Sequence, residues 1–412
     1  MDKEKSYEIS RHQVMEAYKM VKANKGAAGI DGITIENFEA DLKNNLYKLW
    51  NRMSSGSYFP MPVKGVEIPK KNKGTRLLGV PAIIDRIAQM VAVLNLEPLV
   101  EPVFCDDSYG YRPSRSAIDA VGITRKRCWE YDWLIEFDIK GLFDNIDHEL
   151  LLKAVRKHTD CKWLILYIER WIKVPFHMHD GSLVERIAGV CQGGPISPIL
   201  ANLFMHYAFD KWMERQHPNN PWARYADDGL IHCKTNAEAE KILDCLNKRM
   251  TECKLELHPE KTRRVYCKDS DRKGKYEHTS FDFLGYTFRI RFARSKTGKY
   301  FNAFSPAVSQ KAIKSFNQRI REIRRTTTFK SLEQLALDIN PVIRGWANYF
   351  GCYNQSEMKH KLAKVNLALV IWARKKYKNL RKESSAWKWL KRCAATQPDL
   401  FAHWKMGLRP MT

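Results

Sequence analysis

The segment Tyr225-Ala226-Asp227-Asp228 lies between two short apolar runs, at residues 222–225 and 230–233. Apolar runs on either side of a polar pair predict a β-hairpin, and Asp228-Gly229 is a dipeptide that favours the tight turn of a hairpin. Adjacent carboxylates on a rigid turn provide the oxygen ligands that hard divalent cations prefer. The segment therefore predicts a metal site of the kind that supports phosphoryl transfer.

A third carboxylate lies at the end of another apolar run. Residues 133–137 predict a strand, and Asp138 follows directly, 89 residues before Asp227. A site for two cations needs this additional acidic ligand, because the two cations lie close together and keep open positions for phosphate oxygens. Asp144 and Asp147 are also nearby, and we interpret them as helix caps.

Two other segments each have a functional and a plain interpretation. Gln192-Gly193-Gly194-Pro195 leads into an apolar segment, which predicts a turn and a helix whose start a ligand can approach closely. The same pattern fits an ordinary helix start. Residues 66–78 predict two strands joined by a basic turn, in which Lys70 and Arg76 form either a cationic clamp or part of an exposed hairpin.

The charge of the chain indicates a polyanionic partner. Its 412 residues contain 70 Lys and Arg against 46 Asp and Glu, which gives a net charge of +24. An excess of this size favours nucleic acid or an anionic membrane surface. Nucleic acid is the better choice, because no apolar run approaches the roughly 20 residues of a spanning helix and the N-terminus has no signal pattern. The length predicts two to four compact units.

The positive charge is concentrated in residues 301–412, which hold 22 Lys and Arg and 6 Asp and Glu. A helix predicted to open at Ser305-Pro306 has an apolar face and a basic face. The basic face contains Lys311, Lys314, Arg319, Arg321, Arg324 and Arg325. Interleaved aromatic residues make a nucleic-acid surface the favoured interpretation, and a helical bundle with solvent-facing charges is the alternative.

The ten cysteines give no sign of a metal site or a disulfide framework. There is no Cys-x-x-Cys pair, so we expect reduced cysteines that pack as small apolar side chains, without structural zinc or disulfides.

Strand and helix patterns alternate between residues 133 and 290, which predicts an α+β domain with an antiparallel sheet.

The ordered motifs resemble those of the palm of reverse transcriptases, and more closely those of the group II intron-encoded reverse transcriptase and maturase family. The similarity runs from about residue 12 to the end of the chain. Besides the motifs around Asp138, Gln192 and Asp227, it is carried by Gly29-Ile30-Asp31-Gly32, Ile68-Pro69-Lys70, Tyr109-Gly110-Tyr111-Arg112-Pro113, His258-Pro259-Glu260-Lys261-Thr262, Phe283-Leu284-Gly285-Tyr286 and Gly345-Trp346-Ala347-Asn348-Tyr349-Phe350.

The resemblance implies a right-hand polymerase, with α+β fingers and palm and an all-helical thumb. The implied division is an N-terminal extension with fingers (1–125, with 150–190 contributing), a palm (126–300), a thumb or maturase domain (301–370) and a short basic DNA-binding region (371–412). Many members continue into a metal-dependent endonuclease with Cys pairs and a histidine cluster. We expect this chain to lack that activity, because it contains no such cluster.

The resemblance also implies roles for individual residues. Asp138, Asp227 and Asp228, with the carbonyl of Ile139, are expected to hold two Mg²⁺ ions, for which Mn²⁺ is a possible substitute. The implied nucleotide-binding residues are Lys70, Arg76, Phe143, Gln192 and Lys261, with Phe143 closing the sugar 2′ side. Phe283, Leu284 and Gly285 correspond to the primer grip. The expected nucleic-acid contacts are Lys311, Lys314, Arg319, Arg324, Arg325, Arg374, Lys375 and Lys376.

We therefore expect an RNA-directed DNA polymerase that uses dNTPs, an RNA template and a DNA or RNA primer. The expected further partners are group II intron RNA and target DNA, with no membrane, and the expected location is the bacterial cytoplasm near the nucleoid. Two alternatives stay open: a domesticated or other bacterial reverse transcriptase used in defence or repair, and an RNA-binding splicing factor without polymerase activity. The sequence leaves the oligomeric state open.

Overall fold

A computed structural model describes residues 6–69, 75–294 and 297–410. The chain divides into two units, residues 1–116 with 135–263 and residues 117–134 with 264–412. The predicted mixture of helices and sheets is confirmed. The four-part division into fingers, palm, thumb and DNA-binding region stays a prediction.

The helices are α1 (Arg11–Ala23), α2 (Ile35–Glu39), α3 (Leu42–Ser54), α4 (Ile83–Val100), α5 (Ala117–Glu130), α6 (Leu142–Asn145), α7 (His148–Arg156), α8 (Lys162–Lys173), α9 (Ser197–Met205), α10 (Lys211–Gln216), α11 (Asn236–Glu252), α12 (Gln310–Thr326), α13 (Leu332–Phe350), α14 (Gln355–Leu362), α15 (Val365–Lys376), α16 (Glu383–Thr396) and α17 (Ala402–Lys405). A π-helical turn, His206–Asp210, joins α9 to α10. The strands are β1 (Val63–Pro69), β2 (Thr75–Val80), β3 (Trp133–Asp138), β4 (Phe176–His177), β5 (Leu183–Val184), β6 (Trp222–Tyr225), β7 (Asp228–Cys233), β8 (Arg263–Tyr266), β9 (Ser280–Phe283), β10 (Tyr286–Arg294) and β11 (Tyr300–Val308).

One sheet of the first unit contains the predicted basic hairpin. Its order is β2-β1-β4-β5, and β1 pairs with β2 in antiparallel fashion. The strands of the prediction are therefore confirmed. Lys70 lies outside the described residues, and Arg76 is described through its backbone alone, so the proposed clamp stays a prediction.

The second sheet contains the hairpin of the Tyr-Ala-Asp-Asp segment. Its order is β6-β7-β3-β8. Tyr225 pairs with Asp228, so the two turn residues are Ala226 and Asp227. The predicted Asp228-Gly229 turn is wrong. Glycine is required at 229 for packing, because a Cβ there would lie 2.0 Å from the ring of Phe137.

Helix α4 is buried along much of its length. Its described side chains include a run of buried apolar residues, among them Ile83, Ile87 and Val91. The run also contains the buried carboxyl group of Asp85. This group accepts hydrogen bonds from Tyr58 Oη at 2.5 Å and from the amide nitrogen of Met61 at 3.2 Å.

Asp85 predicts a measurable pH dependence of stability. Burial raises the pKa of Asp85 from 3.8 to about 6, because the charged form loses water. As pH rises from 4 to 7, the unfolded chain releases this proton first, so the group destabilises the fold by up to about 3 kcal/mol, fully so above the folded pKa. In urea unfolding, the free energy of unfolding of Asp85→Asn relative to that of the wild type should therefore rise by this amount between pH 4 and 7. A pH-independent difference would contradict the prediction.

The second unit contains a three-stranded sheet and the C-terminal helices. The sheet has the order β11-β10-β9. The helix predicted to open at Ser305-Pro306 instead begins at Gln310, capped by Ser309, because residues 300–308 form β11 and pair with β10. Its predicted apolar face is confirmed, since Ile313, Phe316, Ile320 and Ile323 are buried. Among the described residues, none of the helices combines the length and apolarity needed to cross a bilayer.

Candidate active site

The first unit brings the three predicted metal ligands together. Asp138 ends β3, Asp227 lies in the β6–β7 turn and Asp228 begins β7, the neighbour of β3 in the sheet. The amide nitrogen of Ile139 donates a hydrogen bond to the carbonyl of Asp227 at 3.4 Å, which joins the two strand ends. Asp138 is nearly buried, whereas Asp228 is exposed at the surface of the site.

Lys261 brings a positive charge to this acidic cluster, because its Nζ lies 2.9 Å from Asp138 Oδ2. Its position follows from the turn at residues 258–262, in which the amide of His258 donates to the carbonyl of Asp138 at 2.8 Å. Partial burial by itself would lower the pKa of Lys261, because it disfavours the charged form. The hydrogen bond to Asp138 and the attraction of the carboxylates outweigh it and raise the Lys261 pKa.

The electrostatics of the cluster fit divalent cations. Although Asp228 is exposed, the protein crowded around its carboxyl group limits hydration, and together with the nearby carboxylates of Asp227 and Asp138 this raises the pKa of Asp228 to about 7. Crowded carboxylates repel one another, and a divalent cation relieves this repulsion while accepting hard oxygen ligands. Asp138, Asp227 and Asp228 therefore have the chemistry of a ligand set for a hard divalent cation.

A row of three aromatic rings ends at Tyr225, the last residue of β6. Phe143, half-buried on α6, meets Tyr111 edge to face with ring centroids 6.2 Å apart, and Tyr111 lies 6.5 Å from the ring of Tyr225. The carbonyl of Phe143 accepts a hydrogen bond from the amide of Val190 at 2.6 Å, which fixes the short helix. Phe143 thus presents a partly exposed ring to the aromatic row.

Gln192 lies on the same unit and is nearly buried. Its Nε2 donates to Asp144 Oδ1 at 2.9 Å, so Asp144 binds a side chain and is not the helix cap that we predicted. Asp147 is a cap, and it accepts a hydrogen bond from the amide of Leu150. The Gly-Gly-Pro segment precedes α9 as predicted. Gly193 has φ +123°, and a Cβ there would lie 2.3 Å from the carbonyl oxygen of Gly79.

The predicted primer-grip residues form a tight turn in the second unit. Leu284 and Gly285 join β9 to β10 with φ values of +49° and +82°. The hydroxyl of Tyr349 donates to the carbonyl of Leu284 at 2.7 Å, and the hydroxyl of Tyr286 donates to the carbonyl of Tyr349. Two of the sequence motifs thus support each other, since the end of α13 holds the turn after Phe283.

The predicted nucleic-acid contacts differ in their accessibility. Lys311, Lys314, Arg319 and Arg325 are exposed on α12, and Arg324 is half-buried. On α15, Lys375 is exposed, but Arg374 donates to the carbonyl of Arg381 at 2.9 Å. The Nζ of Lys376 donates to three carbonyls, those of residues 328, 329 and 330. Lys376 therefore ties down the segment before α13.

Another group of potential metal ligands is already satisfied. Among the described residues, Cys105, His206 and Asp210 place a sulfur, a nitrogen and an oxygen close enough to share an ion. However, both oxygens of Asp210 accept hydrogen bonds from Arg224, and the thiol of Cys105 donates to Glu214 at 2.9 Å. The ten cysteines all carry free thiols.

Three residues around the acidic turn were not predicted from the sequence as residues of the site: Gly110, Tyr111 and Arg224. A Cβ at Gly110 would lie 2.5 Å from the amide nitrogen of Ala226, so the loop before α5 passes directly over the turn. Tyr111 contacts Phe143, and Arg224 is completely buried beneath the turn. A charged residue inside a short apolar strand was the available signal for Arg224, and the Tyr-Gly-Tyr-Arg-Pro motif was the signal for the loop.

Comparison with known proteins gives two matches to family models. Residues 68–288 match the model described as reverse transcriptase (RNA-dependent DNA polymerase), and residues 313–393 match the group II intron, maturase-specific domain. Protein YkfC of Escherichia coli (strain K12) is 32% identical over 325 residues, covering 69% of this chain and 81% of YkfC. The group II intron-encoded protein LtrA of Lactococcus lactis subsp. cremoris is 35% identical over 192 residues, covering 46% of this chain and 32% of LtrA. The putative COX1/OXI3 intron 1 protein of Saccharomyces cerevisiae is 27% identical over 275 residues, covering 66% of this chain and 32% of that protein.

Proposed function

Because the chain belongs to the group II intron-encoded reverse transcriptase and maturase family and is an RNA-directed DNA polymerase, we propose that it uses Asp138, Asp227 and Asp228 to hold two Mg²⁺ ions during dNTP addition to a primer 3′-hydroxyl. The convergence of these three carboxylates at adjoining strand ends is the observation that carries the proposal. Bound divalent cations would lower the pKa of the primer hydroxyl and neutralise charge on the triphosphate. The carbonyl of Ile139 is a proposed additional ligand.

The other side chains of the site are proposed to orient the nucleotide. The ring of Phe143 contacts Tyr111, which in turn lies 6.5 Å from the ring of Tyr225, and it would exclude a ribose 2′-hydroxyl by direct contact. Lys261 brings a positive charge to the cluster, where it can attract the triphosphate. Gln192, anchored by Asp144, is proposed to lie against the nascent base pair. Lys70 and Arg76 keep their proposed role as a phosphate clamp, since Arg binds phosphate oxygens in a bidentate manner.

We assign the first unit to the fingers and palm and the helices from α12 to the thumb or maturase domain. Phe283, Leu284 and Gly285 are the proposed primer grip. The second function that we propose is binding of the parental group II intron RNA, supported by the maturase-specific match at residues 313–393 and by the exposed cations of α12. Target DNA is a proposed partner of the region from residue 371, where Lys375 is exposed.

A primer-extension assay tests the polymerase proposal. The purified chain is supplied with an RNA template, a DNA primer, dNTPs and either Mg²⁺, Mn²⁺ or a chelator. We expect synthesis with Mg²⁺ and none with the chelator. Synthesis that persists in the chelator would refute the metal-dependent mechanism. In parallel, tighter binding to group II intron RNA than to an unrelated structured RNA of equal length would support the maturase role, and equal affinities would refute it.

The basic face of α12 predicts a salt-dependent contribution to RNA binding. Replacing Lys311, Lys314 and Arg325 by alanine should reduce the slope of log affinity against log salt by about 2 to 3, because each phosphate contact accounts for about 0.7 to 0.9. Filter binding of intron RNA between low and moderate salt measures this slope. Alanine at Lys388 and Lys391, exposed on α16, is the control and should change it less. Equal effects would show that the α12 face has no special role.

A further inference from the structure

Arg224 has every one of its hydrogen-bond donors matched inside the first unit. Its Nε and Nη2 donate to the two oxygens of Asp210 at 2.7 and 2.6 Å, and Nη2 also donates to Ser108 Oγ at 2.8 Å. Its Nη1 donates to Asn202 Oδ1 and to the carbonyl of Ala226, both at 3.1 Å. A guanidinium group has five N–H donors, so none is left over. The side chain is completely buried.

One of these bonds reaches the backbone of the acidic turn. Ala226 precedes Asp227 and has φ +58°, a conformation that non-glycine residues rarely adopt. Such a conformation persists only where the surroundings hold it. Arg224 holds the carbonyl of Ala226 from below, while the loop at Gly110 packs against its amide nitrogen.

The groups that hold Arg224 come from separate elements. Asp210 ends the π-helical turn, Asn202 lies on α9, and Ser108 lies in the loop before α5. Asn202 also donates to the carbonyl of Gly110 at 2.6 Å, so the loop and the guanidinium share one anchor. The loop pairs with β6 as well, because the amide of Tyr109 donates to the carbonyl of Arg224 at 2.9 Å. These contacts therefore fix the position of the guanidinium independently of its hydrogen bond to the carbonyl of Ala226.

We infer that Arg224 is a positioning residue for the polymerase reaction, which sets the backbone of Ala226 and so directs the Asp227 carboxylate toward the metal. The inference rests on the proposed metal-binding role of Asp227. The plain alternative is a buried ion pair with Asp210 that only stabilises the fold. The two differ in their effect on metal dependence, because loss of stability alone lowers the amount of folded enzyme without changing the affinity of the folded molecules for metal.

The test replaces the buried ion pair by apolar side chains, using Arg224→Met combined with Asp210→Leu. Removing both charges avoids an unpaired buried carboxylate, and such exchanges are often tolerated by the fold. With folding verified by thermal unfolding, we expect the dissociation constant of Mg²⁺ measured by isothermal titration calorimetry, and the Mg²⁺ concentration for half-maximal primer extension, each to rise by about 10 to 100-fold, as for other residues that support metal ligands. We also expect kcat to fall by about 100-fold, as for small misplacements of reacting groups.

Two further variants make the result decisive. Ser108→Ala removes one hydrogen bond of the same guanidinium but keeps the bond to Ala226, and it should raise the half-saturating Mg²⁺ concentration less than either Arg224 variant does. Arg224→Lys keeps the charge beside Asp210 but cannot match all five acceptors, and it should raise that concentration. If the double variant does not fold, the lysine variant decides. Wild-type metal dependence in a folded Arg224 variant would overturn the inference, whereas full activity of an Asp227 variant would overturn the proposed function itself.

Discussion

Replacement of Asp227 by asparagine is expected to reduce RNA-templated DNA synthesis by at least about a thousandfold, which corresponds to about 4 kcal/mol of transition-state stabilisation. The substitution keeps the size of the side chain but removes its negative charge. Asp227 lies in the turn itself, with its carbonyl bonded to the amide of Ile139 beside Asp138. We therefore expect the variant to fold like the wild type and its affinity for divalent cations to fall strongly.

Single-turnover primer extension measures this loss under conditions in which primer and template are fully bound. Asp244→Asn on α11 is the matched control, because it makes the same chemical change at an exposed position outside the site. It should retain wild-type activity. RNA binding by the Asp227 variant should also be retained, since the basic surfaces are untouched. Undiminished synthesis by the Asp227→Asn variant would refute the proposed catalytic role.

The sequence predicted those parts of the site that follow from local patterns. Apolar runs located β3, β6 and β7, and the end of an apolar run located Asp138. The turn itself was misplaced by two residues, because Asp228-Gly229 has the local preferences of a hairpin turn. Tertiary contacts override these preferences, since Phe137 occupies the space that a side chain at 229 would need and Ala226 takes the positive φ.

The start of α12 was misplaced for a related reason. Ser305-Pro306 has the composition of a helix start, but Pro306 lies in β11 and pairs with Phe288 of β10. Strand β11 forms an edge of its sheet and has a neighbouring strand on one side alone. Proline is tolerated there, because its missing N–H can face away from the paired strand. A local pattern cannot distinguish these two uses of proline. The direction of a charged side chain is equally invisible, as Lys376 shows by binding three backbone carbonyls.

Replacement of Phe143 by alanine is expected to have the second large effect, a loss of sugar selectivity. If the Phe143 ring fills the space of a ribose 2′-hydroxyl, its removal opens room for rNTPs while leaving the three carboxylates in place. Discrimination by the shape of an apolar pocket is worth up to roughly 100-fold, so the preference for dNTP over rNTP should fall by about this factor. The rate with dNTPs should fall much less.

The measurement is kcat/KM for dCTP and for CTP opposite a template guanine, because only the ratio reports selectivity. Phe143→Tyr is the matched control, since it keeps the ring that meets Tyr111 and should keep the preference for dNTPs. Tyr111→Phe tests the same aromatic row without removing a ring, and it should also retain selectivity. An unchanged ratio in Phe143→Ala would show that sugar selection resides elsewhere, even if the variant polymerises normally. A parallel loss of activity with both nucleotides would contradict the proposed gate as well, since it would mark Phe143 as a support for α6.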